Sequence, residues 1–208
     1  MIVGLGDCNM SGAERFEGKT YMELLSQALG EKTINRGITM TTTREGLIIL
    51  DEYESPSLLI VAYGLVDSWK TFKYAPYVLY YPDNFFRKVA RKMVKKYKKL
   101  ARKWGLNERL GQKYVVSPEE YRANIVEMIQ KSPKTLLIET PPHRRQTFRN
   151  PDIRRYNAIL QELSRRFDNV ELIEIYDDFA KDRELYFDDI HMSQKGYELV
   201  AKKILEKL

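Results

Sequence analysis

Five short apolar segments, separated by helical patterns, constrain the fold of this 208-residue chain more than any other feature. Residues 58–63 are continuously apolar, as expected of a strand that is covered on both faces of a sheet. The predicted strands are residues 2–5, 32–35, 58–63, 135–139 and 170–175. Because strands that alternate with helices form parallel sheets, the sequence predicts an α/β three-layer sandwich with a mainly parallel five-stranded sheet.

The helical patterns lie between these strands and after the last one. Ser117 followed by Pro118 and two glutamates is a strong helix start, with a capping hydroxyl, a proline in the first turn and acidic residues near it. The predicted helices are residues 20–29, 44–53, 87–104, 117–131, 150–167 and 194–208. Residues 105–116 are predicted to be a loop, and residues 69–86 are too irregular to assign.

Composition restricts the class of protein. The chain is 43% hydrophobic and 31% charged, which is typical of a globular protein. Its length is sufficient for one domain, which we expect to cover residues 1–208. The segment 69–116 is then a basic, helical insertion after the third strand. A single cysteine and two histidines exclude a disulfide framework and argue against a zinc site, so no metal or cofactor is predicted.

Targeting signals are also absent from the pattern. No run of about 18 apolar residues occurs, and the first residues lack the charged start and apolar core of a signal peptide. We therefore expect a cytoplasmic protein with a reduced thiol, with peripheral association at a membrane as an open alternative.

Two short motifs carry residues suited to acyl chemistry. Gly6-Asp7-Cys8 stands where the first strand must turn, and Asp188-Asp189-Ile190-His191 precedes the last helix. A cysteine nucleophile needs a base within hydrogen-bond reach and a third group that orients the base. The spacing of Asp188 and His191 lets the carboxylate reach the imidazole nitrogen that faces away from the nucleophile.

These motifs, taken in order with two others, resemble the blocks of the SGNH (GDSL-type) hydrolase superfamily. Gly6-Asp7-Cys8 is similar to its first block, and Asn35-Arg36-Gly37 to its second. Gly64-Leu65-Val66-Asp67 is similar to the third block, and Asp188 to His191 to the last. The resemblance covers the whole chain in block order.

The resemblance implies a fold and a set of roles. The fold would be flavodoxin-like, with Cys8 as nucleophile, His191 as base and Asp188 orienting His191. The backbone N–H groups of Cys8 and Gly37 would form the oxyanion hole.

Two positions depart from the family pattern. Cys8 replaces the usual serine, and Val66 replaces the asparagine of the third block. Loss of an oxyanion donor lowers turnover by about 100- to 1000-fold where nothing replaces it. A thiol beside an imidazole needs less help from its base than a hydroxyl does, and a thioester favours transfer to another nucleophile. The two changes together indicate acyl transfer as an alternative to hydrolysis.

Four further residues are predicted to contact substrate near this site. Asn9 and Asn35 are candidates to supply the missing oxyanion donor, and Asp67 is expected to support the cleft. His143 follows two prolines after the fourth strand and is either a substrate contact or part of a surface loop. The arginines beyond it are either an anion-binding group or a solvated loop: Arg144, Arg145 and Arg149.

The insertion contains a strongly basic helix, residues 87–104. An apolar stripe runs along it at helical spacing, formed by Val89, Met93, Tyr97, Leu100 and Trp104. The first interpretation is that this stripe packs on the protein and the charges are solvated; most aromatic residues of 74–86 would then also be core. The second is that the helix binds an anionic polymer or an anionic membrane surface. Nucleic acid is not favoured, because no nucleic-acid-binding motif accompanies the charge.

The sequence as a whole predicts an SGNH-like acyl esterase or acyltransferase. It would use a Cys-His-Asp triad and a thioester intermediate on a carbohydrate or another small acylated substrate. The alternative is a catalytically decayed relative that binds an anionic glycan or membrane surface through its basic helix.

Overall fold

The computed structural model describes residues 1–208, and its strands begin and end close to the predicted positions. In chain order the strands are β1 (Ile2–Gly6), β2 (Thr33–Gly37), β3 (Leu58–Ala62), β4 (Lys70–Phe72), β5 (Gln112–Tyr114), β6 (Thr135–Ile138) and β7 (Val170–Ile173). Five of them form one sheet in the order β2-β1-β3-β6-β7, with every neighbouring pair parallel. This is the flavodoxin-like order, and the predicted α/β fold with its parallel five-stranded sheet is confirmed.

Nine α-helices connect and cover these strands. They are α1 (Cys8–Ser11), α2 (Tyr21–Leu29), α3 (Thr43–Leu50), α4 (Phe85–Lys103), α5 (Leu106–Leu110), α6 (Pro118–Gln130), α7 (Asn150–Arg166), α8 (Tyr176–Lys181) and α9 (Gln194–Leu205). Side-chain caps start several of them: Ser117 accepts from Glu120 N–H at α6, and Ser193 accepts from Gly196 N–H at α9. None of the helices is both long enough and apolar enough to cross a membrane.

Alternating side chains of the strands build a core on each face of the sheet. On one face, Ile60 and Leu136 pack with the buried sides of α2 and α9. On the other face, Leu59 and Leu137 pack with α3, α6 and α7. Both layers of helices therefore pack on strands that are apolar on both faces, and this packing holds the strands in position.

The segment between β3 and α6 differs from the prediction. Residues 105–116, predicted to be a loop, contain α5 and β5, and β5 pairs antiparallel with β4 in a separate two-stranded sheet. A second difference lies just after β1: the sequence predicts a polar loop over residues 9–18, but a capped turn of helix, α1, occupies Cys8–Ser11.

The orientation of α4 also differs from the first interpretation of its sequence. Most of the apolar stripe does not pack on the protein: Met93 is 66% exposed and Trp104 is 62% exposed, whereas the ring of Tyr97 packs edge-on against Phe72. Phe85 and Phe86, expected in the core, are likewise exposed. The buried position of the helix is Ala101, which packs with Phe72 and Ala75 of the insertion.

Candidate active site

The carboxyl ends of β1, β2 and β3 place the predicted motifs at one edge of the sheet. β1 leads into Asp7 and Cys8, β2 ends at Gly37, and β3 leads into the turn that carries Asp67. In open parallel sheets, binding sites form outside this edge. Asp7 caps α1, because its carboxylate accepts from Asn9 N–H at 3.0 Å. The cap holds Cys8 as the first residue of a helical turn.

Asp188 and His191 form a hydrogen-bonded pair. Asp188 Oδ2 lies 2.6 Å from His191 Nδ1, and Asp188 Oδ1 accepts from the N–H groups of Ile190 and His191 at 2.8 Å each. Partial burial opposes ionisation of Asp188, but these N–H donors and the imidazole outweigh it and lower the pKa of the carboxyl. The carboxylate is thus fixed on Nδ1, which leaves Nε2 as the imidazole nitrogen able to exchange a proton.

Cys8 lies in an apolar pocket beside that loop. Its side chain clusters with Leu65, Ile153 and Tyr176, and Ile190 packs against the same cluster. Cys8 is 5% exposed. The thiol makes no hydrogen bond to His191 in this structure, so the base and the nucleophile are neighbours through Ile190 rather than directly bonded.

The environment of Cys8 favours the thiol over the thiolate. Burial and the nearby carboxylate of Asp7 raise the pKa of Cys8 well above its ordinary value, although the N–H groups of Cys8 and Asn9 act in the opposite direction. This is contrary to the lowered pKa expected for a thiol activated by an adjacent imidazole. Cys8 is therefore protonated at neutral pH, and any nucleophilic step needs a base that removes the proton.

The two predicted oxyanion donors differ in their availability. The Cys8 N–H donates to no oxygen of the protein, whereas the Gly37 N–H donates to Asn35 Oδ1 at 2.9 Å. Gly37 also lies so close to α1 that a Cβ atom would stand 2.5 Å from Ser11 N. The glycine is required by this close approach, and its N–H becomes free for an oxyanion only if the Asn35 side chain moves.

Of the two asparagines predicted to contact substrate, Asn35 is hydrogen-bonded to the protein through its side chain, whereas Asn9 is buried without such a bond. Asn35 donates to the Met10 carbonyl at 3.1 Å and so ties the end of β2 to α1. Asn9 is 4% exposed, and its Oδ1 has no hydrogen-bond partner. Both lie beside the predicted site, and a substrate role for either remains a prediction.

Asp67 does not reach the surface, which corrects its assignment as a substrate contact. It is fully buried, and Oδ1 accepts from the N–H and the hydroxyl of Thr43 at 2.9 and 2.8 Å. Burial raises its pKa to about 7. Burial likewise raises the pKa of Asp7 to about 7, with a contribution from the charge of Asp67. Asp67 therefore joins the third block to the start of α3 and supports the cleft from inside.

His143 lies against the loop that carries Asp188. Its ring is largely buried, and ring Nδ1 accepts from Gln146 N–H at 3.1 Å. The backbone N–H of His143 donates to Asn150 Oδ1. Burial and the charge of Arg149 lower its pKa, while the carboxylates of Asp189 and Asp188 oppose that shift. The neutral form of the His143 ring is thus favoured. Its contact with substrate remains a prediction.

Trp69 is a residue that the sequence analysis left unassigned. It packs against the cluster that contains Cys8, and its Nε1 is buried without an acceptor. The guanidinium of Arg149 lies over its ring, 4.8 Å from the centroid. The position of Trp69 directly after the third block was a signal that it would lie near the site. No group of three or more histidine, cysteine, aspartate or glutamate side chains is arranged to hold a metal ion.

Comparison with solved structures finds the same fold over nearly the whole chain. A lipolytic protein of the G-D-S-L family from Desulfitobacterium hafniense superposes with a TM-score of 0.67 at 15% identity, covering 100% of this chain and 98% of that one. A G-D-S-L family protein from Veillonella parvula gives 0.64 at 13% identity, with 99% and 96% coverage. An acetylxylan esterase from Geobacillus stearothermophilus gives 0.62 at 17% identity, with 99% and 92% coverage.

A family model provides the assignment that these distant likenesses cannot. No match was found among curated proteins. The model of the GDSL-like lipase/acylhydrolase family, by contrast, matches residues 4–199, which include all four motifs. Members of such a family are hydrolases that act on acyl esters. The chain belongs to the GDSL-like lipase/acylhydrolase family.

Proposed function

We propose that the chain is an acyl esterase or acyltransferase that works through Cys8, His191 and Asp188. The observation that carries the proposal is the pair of Asp188 and His191, joined at 2.6 Å with Nε2 left free, beside the pocket of the chain's only cysteine. Solved structures of the Geobacillus acetylxylan esterase include catalytic mutants at a serine, and at an aspartate and a histidine three positions apart. That spacing equals the spacing of Asp188 and His191.

The proposed first step is acylation of Cys8. Nε2 of His191 takes the thiol proton as Sγ attacks the acyl carbonyl, and the Cys8 N–H donates to the developing oxyanion. The tetrahedral intermediate collapses, the alkoxide leaves with the proton from His191, and a thioester remains. Because the pKa of Cys8 is raised, proton removal by His191 is part of the step rather than a prior equilibrium.

The second step decides between hydrolysis and transfer. Water or an acceptor hydroxyl gives its proton to His191, attacks the thioester carbonyl, and releases Cys8 as the thiol when His191 returns the proton. We propose a carbohydrate or another small acylated molecule as substrate. The support for a carbohydrate is the name of the Geobacillus neighbour, an acetylxylan esterase.

Intact-protein mass spectrometry tests the proposal directly. We would expose the protein to activated acyl esters and acyl thioesters and expect one acyl adduct, absent in Cys8→Ala and formed at least about 100-fold more slowly in His191→Ala. Adduct lifetime with and without an acceptor alcohol separates transfer from hydrolysis. An adduct that persists in Cys8→Ala, or no adduct at any pH, would refute the proposal.

A second candidate function is favoured by the exposed stripe of α4. Large apolar side chains that face solvent beside many lysines are the pattern of a helix lying in a membrane interface. In this alternative, a catalytically decayed protein binds an anionic membrane surface or glycan through α4.

Vesicle sedimentation distinguishes this candidate. We expect binding to vesicles containing phosphatidylglycerol, weaker binding at high salt, and loss of binding in the double variant Met93→Ser with Trp104→Ser. Leu29→Ser, an exposed apolar position on α2, is the control. Equal binding by all three proteins, or none by the wild type, would eliminate α4 as a membrane-binding element.

A further inference from the structure

A large cavity opens between α4 and the body of the protein. Its volume is 820 Å³, within the range of pockets that hold small ligands. It is bounded by Met40 from the loop after β2, Val66 from the loop after β3, and Trp69. Val66 occupies the third-block position that departs from the family pattern. The cavity therefore begins at the same sheet edge as the predicted catalytic residues.

The charge of the lining has one sign. Nine of its nineteen residues are lysine or arginine, and none is aspartate or glutamate. Three of these cations are already neutralised: Lys70 pairs with Asp152, while Lys88 and Arg91 share Asp83. The remaining six form no ion pair: Lys92, Lys95, Lys98, Lys99, Arg102 and Arg149.

The unpaired cations affect one another. Burial and the charge of Arg102 lower the pKa of Arg149, and burial together with Lys113 lowers the pKa of Lys98. Two polar atoms at this wall also lack partners, because Arg149 Nε and Trp69 Nε1 are buried without an acceptor. A bound oxyanion would offset the repulsion among the cations, since guanidinium groups bind phosphate, sulfate and carboxylate with charge-assisted bonds.

Trp69 connects the cavity with the nucleophile. One side of its ring lines the cavity with Arg149, and the residue also packs against the cluster that contains Cys8. A ligand in the cavity thus meets a side chain that also packs on the cluster containing Cys8. Tyr77 and Tyr80 also line the cavity, and their aromatic rings suit contact with a sugar ring or another ring that carries the anionic groups of the ligand.

We propose that this cavity binds the anionic part of the acylated substrate, so that the substrate is a molecule with several oxyanion groups close to its acyl ester. The inference rests on the proposed function for the role of Cys8. It does not depend on that function for the existence of an anion site. Phosphate, sulfate and carboxylate share the recognising chemistry.

A pair of acetyl esters whose leaving groups share the pyrene ring system and differ by three sulfonates tests the proposal, with KM rather than kcat as the quantity compared. Acetoxypyrene trisulfonate carries three oxyanions, and acetoxypyrene carries none. We expect wild-type KM to be at least about tenfold lower for the trisulfonate, and to rise with salt for that ester alone.

Two double variants of α4 make a matched comparison. Lys95→Gln with Lys99→Gln removes two cations that line the cavity, and Lys96→Gln with Lys103→Gln removes two that do not. The first pair should raise KM for the trisulfonate about tenfold with kcat and the neutral ester unchanged, and the second should change KM less than about twofold. Equal effects of the two pairs, or no preference for the trisulfonate, would overturn the proposal.

A direct binding measurement distinguishes a failure of catalysis at Cys8 from a failure of anion binding in the cavity. If neither ester acylates Cys8, the proposed function is refuted, and binding of hydroxypyrene trisulfonate is followed by fluorescence anisotropy instead. Binding that is lost only in Lys95→Gln with Lys99→Gln supports the anion site. No binding, or equal loss in both double variants, overturns it.

Discussion

The buried carboxyl of Asp67 gives the structure a stability that depends on pH. In the unfolded chain its pKa has the ordinary value of 3.8, and burial raises it to about 7 in the folded protein. Between these values the folded state holds a proton that the unfolded state has already released. Raising the pH therefore favours the unfolded state, and the stabilisation present at low pH is lost as pH rises from 3.8 to about 7.

The magnitude follows from the two pKa values. With one pKa unit worth about 1.4 kcal/mol, ionisation of Asp67 lowers the free energy of unfolding by about 2 kcal/mol at pH 5 and about 4 kcal/mol at pH 8. Asp67→Asn removes this term but keeps an Oδ1 that can accept from Thr43. The free energy of unfolding of the variant, minus that of the wild type, should thus increase by about 2–3 kcal/mol from pH 5 to pH 8.

The variant has a second effect that does not depend on pH. Asp67 Oδ2 has no partner, so the amide that replaces it buries an unpaired donor at a cost of about 1–3 kcal/mol. This offset is the same at each pH and leaves the change between pH 5 and pH 8 intact. Loss of the Asp67 charge also reduces the pKa shift of Asp7, which enlarges the expected change in the same direction.

Urea unfolding at pH 5, 6, 7 and 8 measures this change. The control is Asp168→Asn, which removes an exposed carboxylate that forms no ion pair, and its difference from the wild type should stay within about 0.5 kcal/mol across the series. A constant difference for Asp67→Asn, parallel to the control, would refute the argument that burial raises the pKa of Asp67.

Two substitutions test the core on the face of the sheet that α3, α6 and α7 cover. Tyr121→Phe removes a buried hydroxyl that donates to the Tyr63 carbonyl at 2.8 Å, and should lower the free energy of unfolding by about 1–2 kcal/mol with an unchanged urea m-value. Leu137→Ala empties a fully buried position of β6 and should cost about 2–5 kcal/mol; a loss below about 1 kcal/mol would show that the core collapses around the site.

The parts of the fold that could be predicted are those fixed by local pattern. Residues 58–63 are apolar without interruption, and β3 occupies Leu58–Ala62 because both faces of that strand are covered. The spacing of Asp188 and His191 is likewise local, and their side chains meet at 2.6 Å across three positions. Neither feature depends on where distant parts of the chain lie.

The parts that could not be predicted depend on partners far away in the chain. β4 and β5 are short polar strands that have no alternating pattern, and each is stabilised by pairing with the other. The state of Cys8 is similar, because its raised pKa follows first from burial among Leu65, Ile153 and Tyr176, to which the adjacent carboxylate of Asp7 adds a smaller contribution. The bond from the Gly37 N–H to Asn35 Oδ1 is an exception, because it joins residues only two positions apart in the second motif.

The basic helix shows why amphipathicity alone does not orient a helix. Its large apolar side chains face solvent, so their burial does not hold α4 in place. The helix is held by Ala101 against Phe72, by the Asn84 cap, and by the ion pairs of Asp83. One consequence is that its cationic face is left to line a cavity beside Trp69. A helix that leaves apolar surface exposed on one side and unpaired cations around an open cavity on the other is stabilised when either face finds a ligand. The anion and membrane experiments therefore examine opposite faces of the same helix, and the α4 variants identify which face is used.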